Sequence, residues 1–89
     1  RTVRAAYQTI ESMDKAIDLA RESARVTKAE TRALRKQLVI GGSTLDNVLS
    51  AEARLYDAEA KEINFLAERR SAELVILSAL GLLTDAVGL

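Results

Sequence analysis

The chain has 89 residues, 13 Lys plus Arg against 13 Asp plus Glu, and no Cys, His, Trp or Pro. Zero net charge removes the general electrostatic case for nucleic acid or an anionic membrane surface, and 3% aromatic residues leaves little for bases to stack on. Without His or Cys there is no common nucleophile–base pair and no nitrogen or sulfur metal ligand, so no catalytic residue, metal or cofactor is expected.

A chain this short supports at most one small domain, so partners or neighbouring segments are expected to cover part of its apolar surface. Its first residues, RTVRAAY, already read as helix, and we expect a piece of a longer protein. Along the first half, Val3, Ala6, Ile10, Met13, Ile17, Ala20, Ala24, Thr27, Thr31, Leu34 and Leu38 alternate at spacings of three and four. That is a heptad stripe, which keeps one helix face turned to a partner. A helix over about residues 1–40 would be roughly 60 Å long. Lys28, Arg32, Arg35 and Lys36 gather toward its end, where cations complement the helix dipole; a basic ring at a pore mouth or a partner-docking patch is the alternative role.

The helical pattern breaks once, at IGGSTLDN. Gly41 or Gly42 can take the left-handed conformation that ends a helix, and Ser43 or Thr44 can cap the next one. Asp46 then sits near the exposed amides and the positive dipole end. The glycines lack a preceding strand and a following Lys, so this is a hairpin turn over residues 41–44 and not a phosphate loop.

The second helix is expected over about residues 45–80, with Gly81 ending or bending it and a tail over 81–89. Its stripe is Leu49, Ala53, Tyr56, Ala60, Ile63, Ala67, Arg70, Leu74 and Leu77. Folding back at Gly42 predicts Leu38 near Leu45, Leu34 near Leu49, Ile17 near Leu66, and Arg70 as a misfit near Met13 whose apolar stem covers the seam. A second, weaker stripe runs Val48, Ala51, Leu55, Ala58, Glu62, Leu66 and Arg69. Two stripes on one helix predict neighbours on two sides, as in a larger bundle or a barrel of helices. Glu11–Lys15 and Asp57–Lys61 are acid-first i,i+4 pairs. The longest apolar run, Leu74 to Leu83, falls well short of the ~20 residues of a membrane span.

The segments RTVRAAYQTIES, RKQLVIGGSTLDNVLSAEARLYDAE and LAERRSAELVILSALGLL resemble the last long helical hairpin of the TolC family of outer-membrane channel proteins. Gly41, Thr44, Leu45, Leu49, Ala51, Leu55-Tyr56 and Ala79-Leu80-Gly81 carry the likeness, over nearly the whole chain. The resemblance implies one hairpin of a trimeric α-helical barrel that projects into the periplasm below an outer-membrane β-barrel. It implies an exit duct for type I protein secretion or multidrug efflux, a homotrimer working with a periplasmic adaptor and an inner-membrane transporter, and no catalysis of its own. The residues RKQ before the turn lean toward the secretion branch.

By the same resemblance, the turn at Ile40, Gly41, Gly42, Ser43, Thr44 and Leu45 is the adaptor contact, and Ser43, Asp46, Asn47 and Ser50 line the periplasmic aperture. Family members carry an Arg just after the turn glycine and rings of acids in the first turns of the helix. Here Ser43, Asn47 and Ser50 stand at those positions, with Asp46 beside them, so a charged, cation-binding aperture is not expected. The alternative reading is a stand-alone coiled-coil interaction module such as a periplasmic adaptor hairpin. An adaptor tip usually presents an Arg-Leu-rich motif, unlike the Gly-Gly-Ser-Thr of this chain.

Overall fold

A computed structural model describes residues 2–88. The protein is an all-α antiparallel hairpin of two helices, α1 (Val3–Val39, 37 residues) and α2 (Leu45–Ala86, 42 residues). It measures 71 × 17 × 15 Å. A helix with its side chains is ~10–12 Å across, so the rod is a single pair of helices with no third layer.

Each helix starts on a threonine. Thr2 Oγ1 accepts a hydrogen bond from the Ala5 amide at 3.1 Å, and Thr44 Oγ1 accepts one from the Asn47 amide at 3.2 Å. The α1 C-terminus closes in a Schellman motif: the Gly42 amide bonds the Gln37 carbonyl at 2.7 Å and the Gly41 amide bonds the Leu38 carbonyl at 3.2 Å. Gly41 supplies the required left-handed residue, with φ of 82°.

On α1 the predicted stripe is the buried one. Ala6, Ile17, Ala20, Thr27 and Thr31 are buried, and Ile10, Met13, Ala24, Leu34 and Leu38 are half-buried; only Val3, at the open end, is exposed. The Thr31 hydroxyl, fully enclosed, donates to the Thr27 carbonyl at 2.8 Å and so needs no partner across the seam.

On α2 the assignment of stripes is corrected. The stripe facing α1 is Val48, Ala51, Leu55, Ala58, Glu62, Phe65, Arg69, Ala72, Ile76 and Ala79, all buried or half-buried. This is the weaker stripe of the sequence, with Phe65 in place of Leu66. The bulkier one faces outward: Leu49, Tyr56, Ile63, Leu74 and Leu77 are all at least half exposed. Leu45 and Leu49, expected beside Leu38 and Leu34, thus leave more than half of their surface to solvent, while Ile17 and Leu66 line one groove as expected. Arg70 is not the misfit in the seam; that place belongs to Arg69.

The physical reason lies in fit and charge together. Small residues at Ala51, Ala58 and Ala72 let α2 approach the equally small Ala20, Thr27 and Thr31, where Tyr56 or Ile63 would hold the axes apart. The same rotation lines up four ion pairs along the flanks of the seam: Arg69–Asp14 at 2.7 Å, Arg21–Glu62 at 3.1 Å, Arg54–Glu30 at 2.8 Å and Arg35–Glu52 at 2.6 Å. Their sequence separations shrink from 55 to 41, 24 and 17 toward the turn, which fixes an antiparallel register.

The end of α2 is a second correction. Gly81 does not end the helix, which continues to Ala86 and is capped at Val87, followed by Gly88 with φ of 75°. Helical hydrogen bonding outweighs the ~1 kcal/mol that glycine costs inside a helix. Most of the predicted tail is thus helical; Leu89 lies outside the described residues.

Candidate functional site: the hairpin tip and the outer face of the second helix

The turn residues form an exposed cap at one end of the rod. Ile40 is 82% exposed and Leu45 58%, and with exposed Val39 they make an apolar crown around Gly41 and Gly42. Solvent-facing aliphatic side chains at a turn bring no stability, so the crown is available to a partner. Ile40 and Leu45 are expected at the tip from the sequence. Val39 is the addition, and its place between the seam residue Leu38 and the turn is the signal that points to it.

Ser43 and Thr44 divide the roles left open in the sequence. Thr44 is the cap, while the Ser43 hydroxyl is enclosed without a hydrogen-bond partner. Asp46 lies in the first turn of α2, where its charge meets the helix dipole. Asp46, Asn47 and Ser50 are all exposed in the first turns of α2. Asn47 and Ser50 head a polar row that continues through Arg54, Asp57, Lys61, Asn64, Glu68 and Ser71 at spacings of three and four. Asp46 lies one turn before Ser50, at i,i+4, on the edge of that row next to Ala53 of the outer apolar stripe.

That outer stripe is the second candidate surface. Its residues follow those of the inner stripe by one and two positions alternately, which places it about 150° around the helix at ~100° per residue. Only Arg70 interrupts it with a charge, and Arg70 is tied at 3.6 Å to Glu73. Tyr56 is 75% exposed and Ile63 66%, so these are whole side chains in water and not the edges of core residues. α2 is therefore two-sided, with α1 on one side and an uncovered apolar face nearly opposite.

The electrostatics are those of paired surface charges. Hydrogen bonds from Arg54 hold the Glu30 carboxyl below its ordinary range against a small opposing effect of burial, and hydrogen bonds from Arg25 do the same for Glu22. Glu11 and Lys15 stand 4.0 Å apart, a weak version of the expected pair, while Asp57 and Lys61 share a groove wall without an ion pair. Lys36 is the one cation in the last turn of α1. Grooves run along both sides of the hairpin, one past Leu19, Thr27, Ala58 and Phe65, the other past Asp14, Ile17 and Arg69; both are open channels along the seam. Among the described residues no three acidic side chains converge as a metal-ligating cluster, and no helix is long and apolar enough to cross a membrane.

No protein-family model, curated protein or solved structure matches the chain at a significant level.

Proposed function

We propose that the chain is one helical hairpin of a TolC-like exit duct, a segment of a homotrimeric outer-membrane channel for type I protein secretion or multidrug efflux. The observation that carries this reading is the two-sided α2, which buries Val48, Ala51, Ala58 and Ala72 against α1 while Leu49, Tyr56, Ile63, Leu74 and Leu77 stay uncovered nearly opposite. A helix in a barrel wall needs two such faces, one for each neighbour, whereas a helix in a simple hairpin needs one. The chain then conducts passively in the periplasm, its outer-membrane strands belong to other parts of the protein, and an inner-membrane transporter drives transport.

In this reading the apolar crown of Val39, Ile40 and Leu45 meets the periplasmic adaptor, and Asn47 and Ser50 face the aperture at the head of the polar row. Asn47 and Ser50 offer the aperture hydrogen-bonding groups where rings of carboxylates would carry charge, and Asp46, one turn before Ser50, is the carboxylate beside them. The test is cysteine cross-linking in the full-length protein. Cysteines at Ser43 and Asn47 are expected to link protomers to one another or to a co-expressed adaptor, and failure at both positions would remove the aperture assignment.

A free-standing coiled-coil interaction module is the second reading. The four inter-arm ion pairs favour it, since they hold the hairpin together without any neighbour. A protein that sediments as a stable helical monomer supports this reading over the duct.

A further inference from the structure

Three cations of α1 stand in one row, Lys28, Arg32 and Lys36, each four residues from the next. All three are exposed, and among the described residues none forms an ion pair. The other cations of this stretch are taken: Arg21 by Glu62, Arg25 by Glu22 and Arg35 by Glu52. Glu30, between Lys28 and Arg32 in the chain, is held by Arg54. We propose that this row is a docking strip for an acidic helical segment of a partner protein, with carboxylates at four-residue steps set against Lys28, Arg32 and Lys36.

The helix dipole accounts for only one of the three. Its field fades within the last turn, which holds Lys36 and neither Lys28 nor Arg32. Nor does the hairpin's own stability call for the row. Residues three and four apart are helix neighbours, and Arg32 has Lys28, Arg35 and Lys36 at three of its four such positions, an arrangement that destabilises a helix by repulsion. Elsewhere on α1 a cation is set against a carboxylate, Lys15 near Glu11 and Arg25 near Glu22. A row that repels itself and meets no carboxylate of its own chain is complementary to an anion from outside.

The shape of the row selects the class of anion. The three cations span ~12 Å in ~6 Å steps, and any α-helix laid along α1 repeats its own four-residue steps at the same ~6 Å. The same step carries the row on to Ile40, 82% exposed in the apolar crown. The strip thus ends on an aliphatic side chain, which a protein segment covers and a free anion does not. A bilayer fits poorly: with the crown turned into it, Lys28 would stand ~18 Å behind Ile40, beyond a headgroup layer ~5–8 Å deep. Zero net charge and 3% aromatic residues speak against a nucleic acid. The row lies on α1, apart from the aperture residues, and serves either reading of the hairpin.

Two fluorescent synthetic peptides test the strip on the 89-residue protein. One is an alanine-rich helix with Glu at every fourth position and Leu at one end; the other has Gln in place of each Glu. Fluorescence anisotropy is expected to show binding of the Glu peptide that weakens as salt is raised. The Gln peptide is expected to bind about tenfold more weakly, the scale of three exposed ion pairs. Substituting Lys28→Gln, Arg32→Gln and Lys36→Gln together is expected to abolish the preference for the Glu peptide at unchanged helicity by circular dichroism, since the row is outside the seam. Arg4→Gln with Lys61→Gln, which removes two exposed cations away from the row, is expected to leave binding as it was. Failure of the Glu peptide to bind, equal binding of the two peptides, equal loss in both variants, or tighter binding to phosphatidylserine vesicles or a DNA duplex would each overturn the proposal.

Discussion

Arg69 reaches across the hairpin to Asp14 at 2.7 Å and also binds Glu73 on its own helix, whereas Arg70, the next residue, is 67% exposed at its side chain and pairs at 3.6 Å with Glu73 on its own helix. One position along the helix turns a seam residue into an outward one. Exposed ion pairs are weak in general, but Arg69 is bridged to two carboxylates and its stem covers the seam. Arg69→Ala is therefore expected to lower the thermal midpoint of unfolding, followed by circular dichroism, and Arg70→Ala to leave intramolecular stability unchanged. Equal effects of the two substitutions would mean that Arg69 adds nothing beyond charge.

The turn gives a sharper contrast. Gly41 holds φ of +82°, and a Cβ there would meet nothing within 4 Å, so only backbone strain opposes a side chain. Gly42 lies outside the left-handed region, and a Cβ there would sit at an ordinary 3.7 Å from Gln37. Gly41→Ala is expected to destabilise by about 1–2 kcal/mol. Gly42→Ala is expected to be neutral or to stabilise by about 0.4–1 kcal/mol, through a less flexible unfolded chain. Chemical denaturation of the two variants decides it, and a reversed order would place the reversal at the other glycine.

Much of this architecture is legible in the residues. The α1 stripe from Ala6 to Leu38, the Gly-Gly turn and the threonine cap follow from local rules: heptad spacing, the left-handed preference of glycine and a side-chain oxygen for an orphan amide. The choice between the two stripes of α2 does not. Leu49, Tyr56 and Ile63 are the more hydrophobic set, and hydrophobicity alone turns them inward. What turns them outward is non-local, namely the smallness of Ala20, Thr27 and Thr31 on the other arm and the ion-pair register with Asp14, Arg21, Glu30 and Arg35. A pairing of arm against arm, rather than a reading of each arm alone, contains that information. At the tip, the turn residues are visible in the sequence. The choice of Thr44 over Ser43 as the cap is not, because both carry a hydroxyl that the local rules accept.

Gly81 offers a test of helix continuity. It sits inside α2, a Cβ added there would meet nothing within 4 Å, and its φ is not in the left-handed region. Gly81→Ala is expected to raise stability by about 1 kcal/mol and to increase helical ellipticity, because alanine restricts the unfolded chain and shields the helix backbone. A loss of stability would mean that the helix breaks at this residue after all.

The Glu30–Arg54 pair links stability to pH. Two hydrogen bonds from Arg54, at 2.8 and 3.2 Å, hold the Glu30 carboxyl below its ordinary value of 4.5 in the folded chain, while the unfolded chain titrates at that value. As pH falls from neutral, the unfolded state takes up the proton first, so the pair's stabilisation is present above 4.5 and fades as pH drops through the lower folded value. Glu22, held by Arg25 within α1, contributes in the same direction. Acidification into this range is thus expected to lower the thermal midpoint, modestly because both groups are solvent-exposed. Glu30→Gln carries no titrating carboxyl and is expected to show a shallower fall over the same range. If the wild-type chain and Glu30→Gln follow the same pH profile, the link from Glu30 to Arg54 contributes nothing to holding the two arms together.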